Sequence, residues 1–154
     1  MKHEWKSGKV VVSESIGEVS TLEMVPADSD VLIVLAHGAG AGMTHKDMEE
    51  YASRLADVGI ATLRFNFPFT EIGKKRPDVP RVAHATIAAV VEYAKKKYTD
   101  HRIFAGGKSF GGRMSSQAVS EGKIEVAGLV FYGFPLHPPG KPSIDRADHL
   151  YSVK

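Results

Sequence analysis

The stretch Ile103–Arg113, reading IFAGGKSFGGR, limits what this chain can fold into more than any other. Within it, Gly107-Lys108-Ser109-Phe110-Gly111 matches G-x-S-x-G. Arg102–Ala105 before it has the apolar character of a short buried strand, and Met114–Ser120 after it reads as a helix. A strand that passes through a cramped turn into a helix lifts the turn residue clear of the sheet edge. Gly107 and Gly111 remove the Cβ atoms that would clash in such a bend. Gly112 lets the helix approach the sheet closely. The Phe110 amide would face the same space as the Ser109 hydroxyl, and the helix start adds partial positive charge there.

Two plainer readings compete with this one. The segment is also compatible with an ordinary glycine-rich strand-to-helix turn. Gly-Gly-Lys-Ser has a superficial likeness to a phosphate loop, but that motif needs a glycine five residues before the second one, and Arg102 stands there.

Around this turn the chain alternates. Lys9–Ser13 and Val19–Val25 are β-rich and separated by Ser15-Ile16-Gly17, so an antiparallel hairpin is expected. Val31–Ala36 is a continuous apolar run, expected for a strand covered on both faces. His37–Gly42 follows as a loop of small residues. Thr44 and Asp47 have capping-box spacing, and Met48, Tyr51, Ala52, Leu55 and Val58 then share a helical face that Gly59 ends. Ile60–Phe65 is the next strand. Asn66–Pro77 is a loop with Phe67, Phe69 and the basic run Lys74-Lys75-Arg76. Asp78 and Pro80 signal a helix start, and Ala83, Ile87, Val90, Val91, Ala94 and Tyr98 recur at helical spacing. Val126–Tyr132 is a last strand, and Ile144–Lys154 a short helix or coil. This alternation predicts an α/β fold, with a mainly parallel doubly wound sheet, helices on both faces and an N-terminal hairpin. The loops after Ala36, Phe65 and Ala105 then leave one sheet edge, where such folds place ligands.

With 154 residues, 43% hydrophobic, a single domain over 1–154 is expected. A net charge of +2 argues against nucleic acid or an anionic membrane as partner. No run approaches a membrane span. The chain has no cysteine, which excludes disulfides and thiolate metal sites and suits a cytoplasmic location. The N-terminus has no apolar run of the secretory type. No pair of histidines or carboxylates shows ligand spacing, so neither metal nor cofactor is expected.

The loops AHGAG (36–40), LRFNFPF (63–69), GGKSFGG (106–112) and GFPLHPPGKP (133–142), in this order, resemble the α/β-hydrolase superfamily, and more closely its small dienelactone-hydrolase-like bacterial branch. The resemblance spans roughly residues 9–150. It implies that Ser109 is the nucleophile of a serine hydrolase, acting on a small ester or related acyl substrate through an acyl-enzyme. It further implies that the amide of Phe110 and that of Gly38 or Ala39 form an oxyanion hole. Members of the superfamily place the acid and then the histidine beyond later strands. Here one strand follows the turn, so the chain is expected to lack the last strands of the fold. Asp145 and His149 are the residues in suitable chain order to stand in as acid and base, against a plainer reading as a solvated tail.

The remaining candidates are weaker. His37 is expected beside the oxyanion loop, supporting it or touching substrate. Phe67, Phe69, Phe134 and Leu136 would line an acyl pocket or cover the core. Lys108 would meet an anionic substrate or be a surface side chain, and the same holds for Lys74–Arg76. His137 would line the pocket or serve packing. His84 is expected to face solvent, and His3, His45 and His101 carry no signal. Two other functions remain open. One is a hydrolase-like domain that binds without catalysis, associating with another copy through an uncovered C-terminal sheet edge. The other is a nucleotide-binding domain, disfavoured because G-x-G-x-G at 38–42 does not complete the fingerprint and Asn66 stands where an acid is needed.

Overall fold

A computed structural model describes residues 3–154. Six strands form one sheet in the order β1-β2-β4-β3-β5-β6: β1 (Lys6–Ser13), β2 (Gly17–Met24), β3 (Val31–Ala36), β4 (Ala61–Phe65), β5 (Arg102–Lys108) and β6 (Leu129–Tyr132). The hairpin β1-β2 is antiparallel and joins β4 antiparallel. The pairs β4-β3, β3-β5 and β5-β6 are parallel, so the sheet is mixed with a parallel centre.

Alternation along β3 explains its unbroken apolar run. Leu32, Val34 and Ala36 turn to one face, against α3 (Pro80–Lys97) and α4 (Phe110–Ser120), while Ile33 and Leu35 turn to the other, against Met48 of α1 (Lys46–Asp57). A strand covered on both sides has no position for a polar residue. At 11 and 12 residues, α4 and α1 are too short to be stable alone, so burial of one face holds them rather than propensity. A one-turn helix α2 (Pro68–Glu71) sits in the loop after β4. No helix among the described residues is long and apolar enough to cross a membrane.

The register fixes what matters for function. Ala36 lies opposite both Phe65 of β4 and Gly107 of β5, and Lys108 lies opposite Tyr132 of β6. The carboxyl ends of four strands are therefore level, and the loops that follow them emerge together.

Several local expectations are corrected. The first helix is capped by His45, whose Nδ1 accepts from the Asp47 N–H at 3.2 Å; the Thr44–Asp47 box does not form. Val58 is the exposed C-cap of that helix. Asp78 does not cap α3. Val79 does, with Pro80 at the first helical position, and the Asp78 carboxylate accepts instead from the Phe69 N–H at 3.0 Å. Only Leu129–Tyr132 of the last apolar run is strand, because residues 126–128 approach β5 as irregular chain. The tail folds as a 3-10 helix, Asp145–Ser152.

His84 is the largest correction on the helices. It is 2% exposed, wedged between α3 and α4, with Nε2 at 2.9 Å from Gln117 Oε1 and Nδ1 at 2.9 Å from Lys123 Nζ and 3.0 Å from Glu121 Oε2. Helical periodicity places it beside the apolar stripe of α3, and the polar end of α4 then covers it. Glu23, also buried, ties β2 to α3 by accepting from Tyr93 Oη at 3.1 Å, from Lys97 Nζ and from Tyr98 Oη.

Candidate active site

Ser109 sits between β5 and α4 with φ 52° and ψ −115°, a left-handed conformation that costs a non-glycine residue about 1–3 kcal/mol. The surroundings leave the chain no other route. A Cβ on Gly107 would lie 2.0 Å from the Ala36 carbonyl oxygen, and one on Gly111 would lie 2.6 Å from both the Ala36 and His37 oxygens. The helix must therefore leave β5 tightly against β3, and the strain of that departure falls on residue 109. Its N–H donates to the Gly133 oxygen at 2.9 Å, tying the bend to the end of β6, and its oxygen accepts the first bond of α4, from Arg113.

The Ser109 side chain is half-exposed, and no described residue forms a hydrogen bond with its Oγ. It opens onto a cavity of about 340 Å³ walled by Gly38–Ala41, His45, Met48 and Lys108. Gly38 lies against it: a Cβ there would be 3.7 Å from Ser109 Cβ. The Phe110 N–H heads α4, where no intrahelical acceptor exists. Gly38 and Ala39 give their N–H groups to no acceptor among the described residues. The residue after Ser109 and the loop packed against it thus each carry N–H groups without an acceptor among the described residues.

The loop carrying Gly38 and Ala39 is held at both ends. At its start, His37 is fully buried. The Phe67 N–H donates to its Nε2 at 3.0 Å, so the ring proton is on Nδ1, which donates to the Gly38 oxygen at 2.7 Å. At its end, Met43 is gripped through both backbone groups. Its N–H donates to Asn66 Oδ1 at 2.9 Å, and its oxygen accepts from Arg64 Nη1 at 2.8 Å. Residues 64–67 at the end of β4 thus position the loop. They were visible in the sequence only as LRFNF, with no pattern assigning them this task.

This arrangement corrects two candidates for substrate contact. His37 has both ring nitrogens engaged and no exposed surface, and Phe67 is likewise 0% exposed, packed edge-on to His37 and Phe110. They belong to the support beneath the site. Phe69 is in the same aromatic layer. Leu136 lines a separate surface cavity, and His137 is exposed in its loop with Nδ1 2.9 Å from the Pro138 oxygen. Lys108 does line the Ser109 cavity, but Asp47 claims it at 2.5 Å. That contact raises the lysine pKa and lowers the aspartate one. His45 is the residue the sequence left unmarked: it is the histidine that shares the cavity with Ser109.

Asp145 and His149 do not reach the serine. His149 Nε2 lies 2.6 Å from Ser116 Oγ, seven residues along α4 from Ser109, a rise of about 10 Å. Asp145 is exposed at the start of the 3-10 helix, and no hydrogen bond joins the two. The tail packs on the flank of α4, so neither residue is base or acid in this arrangement. No group of three metal-ligating side chains converges among the described residues.

Burial lowers the pKa of His37, His84 and His149 below the ordinary 6.5; for His149 the Arg113 charge adds to this. A histidine held neutral in the fold binds fewer protons than it does unfolded. Its contribution is therefore complete above pH 6.5 and is lost as pH falls below it. Urea titrations should show stability declining from pH 7.5 to 5.5, with His84→Gln flattening the decline. A midpoint constant across that range would contradict these environments.

A family model described as alpha/beta hydrolase domain matches residues 29–154. Among solved structures, dienelactone hydrolase from Anabaena variabilis superposes with TM-score 0.75 at 16% identity, over 87% of this chain and 65% of that one. An alpha-beta serine hydrolase homologue from Coxiella burnetii gives 0.71 at 22%, over 86% and 65%. Est1E from Butyrivibrio proteoclasticus gives 0.63 at 21%, over 75% and 46%. At these identities the likeness is one of fold, and the chain spans less than two thirds of the length of each. No curated protein sequence matches the chain.

Proposed function

The chain belongs to the alpha/beta hydrolase domain family, and from that premise we propose that it is a serine hydrolase of the esterase type that works through an acyl-enzyme, with Ser109 as nucleophile. The Ser109 hydroxyl attacks the acyl carbon of a small ester, its proton passes through solvent to the departing alkoxide so that the alcohol leaves, and water later attacks the acyl-serine, releasing the acid and restoring the hydroxyl. The carbonyl oxygen, as it gains charge, is received by the Phe110 N–H and by that of Gly38 or Ala39. Each such donor contributes about 3–4 kcal/mol to the transition state when well aimed. The observation that carries the reading is the strained, half-exposed Ser109 with no partner for its Oγ, bordered by amides with no acceptor. Strain of this kind persists where the surrounding structure over-determines it, as the close approach of Gly107 and Gly111 to Ala36 does here.

Covalent labelling tests the reading directly. A fluorophosphonate is expected to add one adduct per chain, and peptide mass spectrometry should find it on Ser109. A folded sample that takes no label, or takes it elsewhere, defeats the proposal.

One observation favours a second reading, a hydrolase-like domain that binds but does not turn over. No described histidine or carboxylate side chain forms a hydrogen bond with Ser109 Oγ, and a hydroxyl without a general base is a weak nucleophile. Ester binding to Ser109→Ala protein together with an unlabelled wild type would select this reading.

A further inference from the structure

The loop that follows α2 is closed on one buried residue. Phe69 commits both of its backbone groups there. Its oxygen accepts from the Lys74 N–H at 2.8 Å, and its N–H donates to Asp78 Oδ2 at 3.0 Å. Phe69 itself is 3% exposed, in the aromatic layer of the core. Lys74-Lys75-Arg76-Pro77 therefore stands out from a fixed base, and Pro77 stiffens it because its ring locks φ. Lys74, Lys75 and Arg76 are all exposed.

The charges of this loop are unanswered. Among the described residues, none of Lys74, Lys75 and Arg76 closes an ion pair, nor does Arg81 in the first turn of α3. The acidic residues beside them in the chain are committed to backbone. Glu71 accepts from the Ser20 N–H, and Asp78, which feels the Lys74 charge, accepts from Phe69. The net charge of +2 conceals this concentration, because it averages over acids elsewhere in the chain.

The shoulders of the loop are aliphatic. Ile72 is 66% exposed and Val79 57%, one on each side of the pinned base. Ile72 ends α2 and Val79 caps α3, so both backbones are fixed by helix ends. A single exposed aliphatic residue needs no explanation. Two that bracket a basic tip make an amphipathic surface. At a lipid–water boundary, cations meet headgroup phosphates while aliphatic side chains enter the acyl region. Nucleic acid would meet the same cations but would find no aromatic face for its bases, since Phe67 and Phe69 are both buried.

We propose that residues 72–79 dock this protein on an anionic lipid surface, with Lys74, Lys75 and Arg76 at the headgroups and Ile72 and Val79 inserted beside them. Gly73, Lys74 and Lys75 share a cavity with Ala39–Ala41, the loop that also walls the Ser109 cavity. Docking therefore brings the Ser109 edge of the sheet to the membrane. The proposal does not depend on acylation of Ser109.

Vesicle co-sedimentation tests it. Each basic side chain near an anionic surface strengthens binding about fivefold. Vesicles of phosphatidylcholine with about 30% phosphatidylglycerol are expected to bind the protein at least about tenfold more tightly than pure phosphatidylcholine, and the difference should vanish in about 0.5 M salt. Lys74→Gln/Lys75→Gln/Arg76→Gln should bind both vesicles alike. Ile72→Ser/Val79→Ser should bind anionic vesicles about fivefold more weakly while keeping the salt dependence. All of these positions are exposed, so urea midpoints should stay at the wild-type value. Equal wild-type binding to the two vesicles, binding to neither, or a triple variant that binds as wild type does would overturn the proposal. So would capture of a single-stranded RNA as tight as that of anionic vesicles together with no effect of the Ile72 and Val79 substitutions, which would assign the loop to nucleic acid. Ser109→Ala should bind vesicles as wild type does, so failure of fluorophosphonate labelling and failure of docking are read separately.

Discussion

Gly107→Ala is expected to unfold the protein or bring it to the edge of unfolding. The new Cβ would stand 2.0 Å from the Ala36 oxygen and 2.8 Å from the Ala36 nitrogen and carbonyl carbon, while φ at this position is +149°. The obstacle is backbone of the central strand, which no rotamer change can move aside. Ordinary overpacking costs about 1–3 kcal/mol. Here β5 must separate from β3, which it pairs from Val31 to Ala36. A loss above about 4 kcal/mol is expected, set against a total of about 5–15 kcal/mol for a domain. Gly140→Ala is the control. It too has positive φ (+75°) but nothing within 4 Å, so it should lose only about 1 kcal/mol. Urea titration of both variants decides. Similar small losses would mean that β5 does not approach β3 as described.

Ser109→Ala should do the opposite, sparing the fold and removing the chemistry. Deleting an Oγ that forms no hydrogen bond and is half-exposed should shift stability by less than about 0.5 kcal/mol. Turnover of a 4-nitrophenyl ester, where the wild type shows any, should fall by at least about a thousandfold or to background, because no other group can carry the acyl chain. Ser109→Gly sharpens the contrast. It relieves the φ 52° strain and should raise stability by about 1 kcal/mol while turnover is lost all the same. A variant retaining a third or more of wild-type turnover would place the chemistry elsewhere.

The two predictions mark where sequence reasoning was strong. Glycines at 107 and 111 around a serine, with a strand before and a helix after, already imply a bend too tight for Cβ atoms. Reading was weakest wherever a side chain's surroundings come from distant segments. His84 looked solvent-facing because its own helix gives it no cover; Gln117, Glu121 and Lys123, more than thirty residues on, provide it. Phe67 looked like a pocket residue because it flanks a loop at the ligand edge, yet its side chain turns under that loop; His37, read as either a support of the loop or a substrate contact, is the support. Asp145 and His149 had the right chain order, but order says nothing of reach, and the tail lies along the far part of α4.

The sequence by itself determined the α/β architecture, the bend at Ser109 and the edge at which the loops gather. These follow from local periodicity and from steric limits on a few consecutive residues. Only the tertiary structure decided what gathers around the Ser109 cavity: His45 and Lys108 line it, Arg64 and Asn66 grip Met43 at the end of its loop, and His149 is held by Ser116 away from it. Such meetings depend on strand register and helix packing. Those are set by the whole core at once, and no short window of sequence contains them.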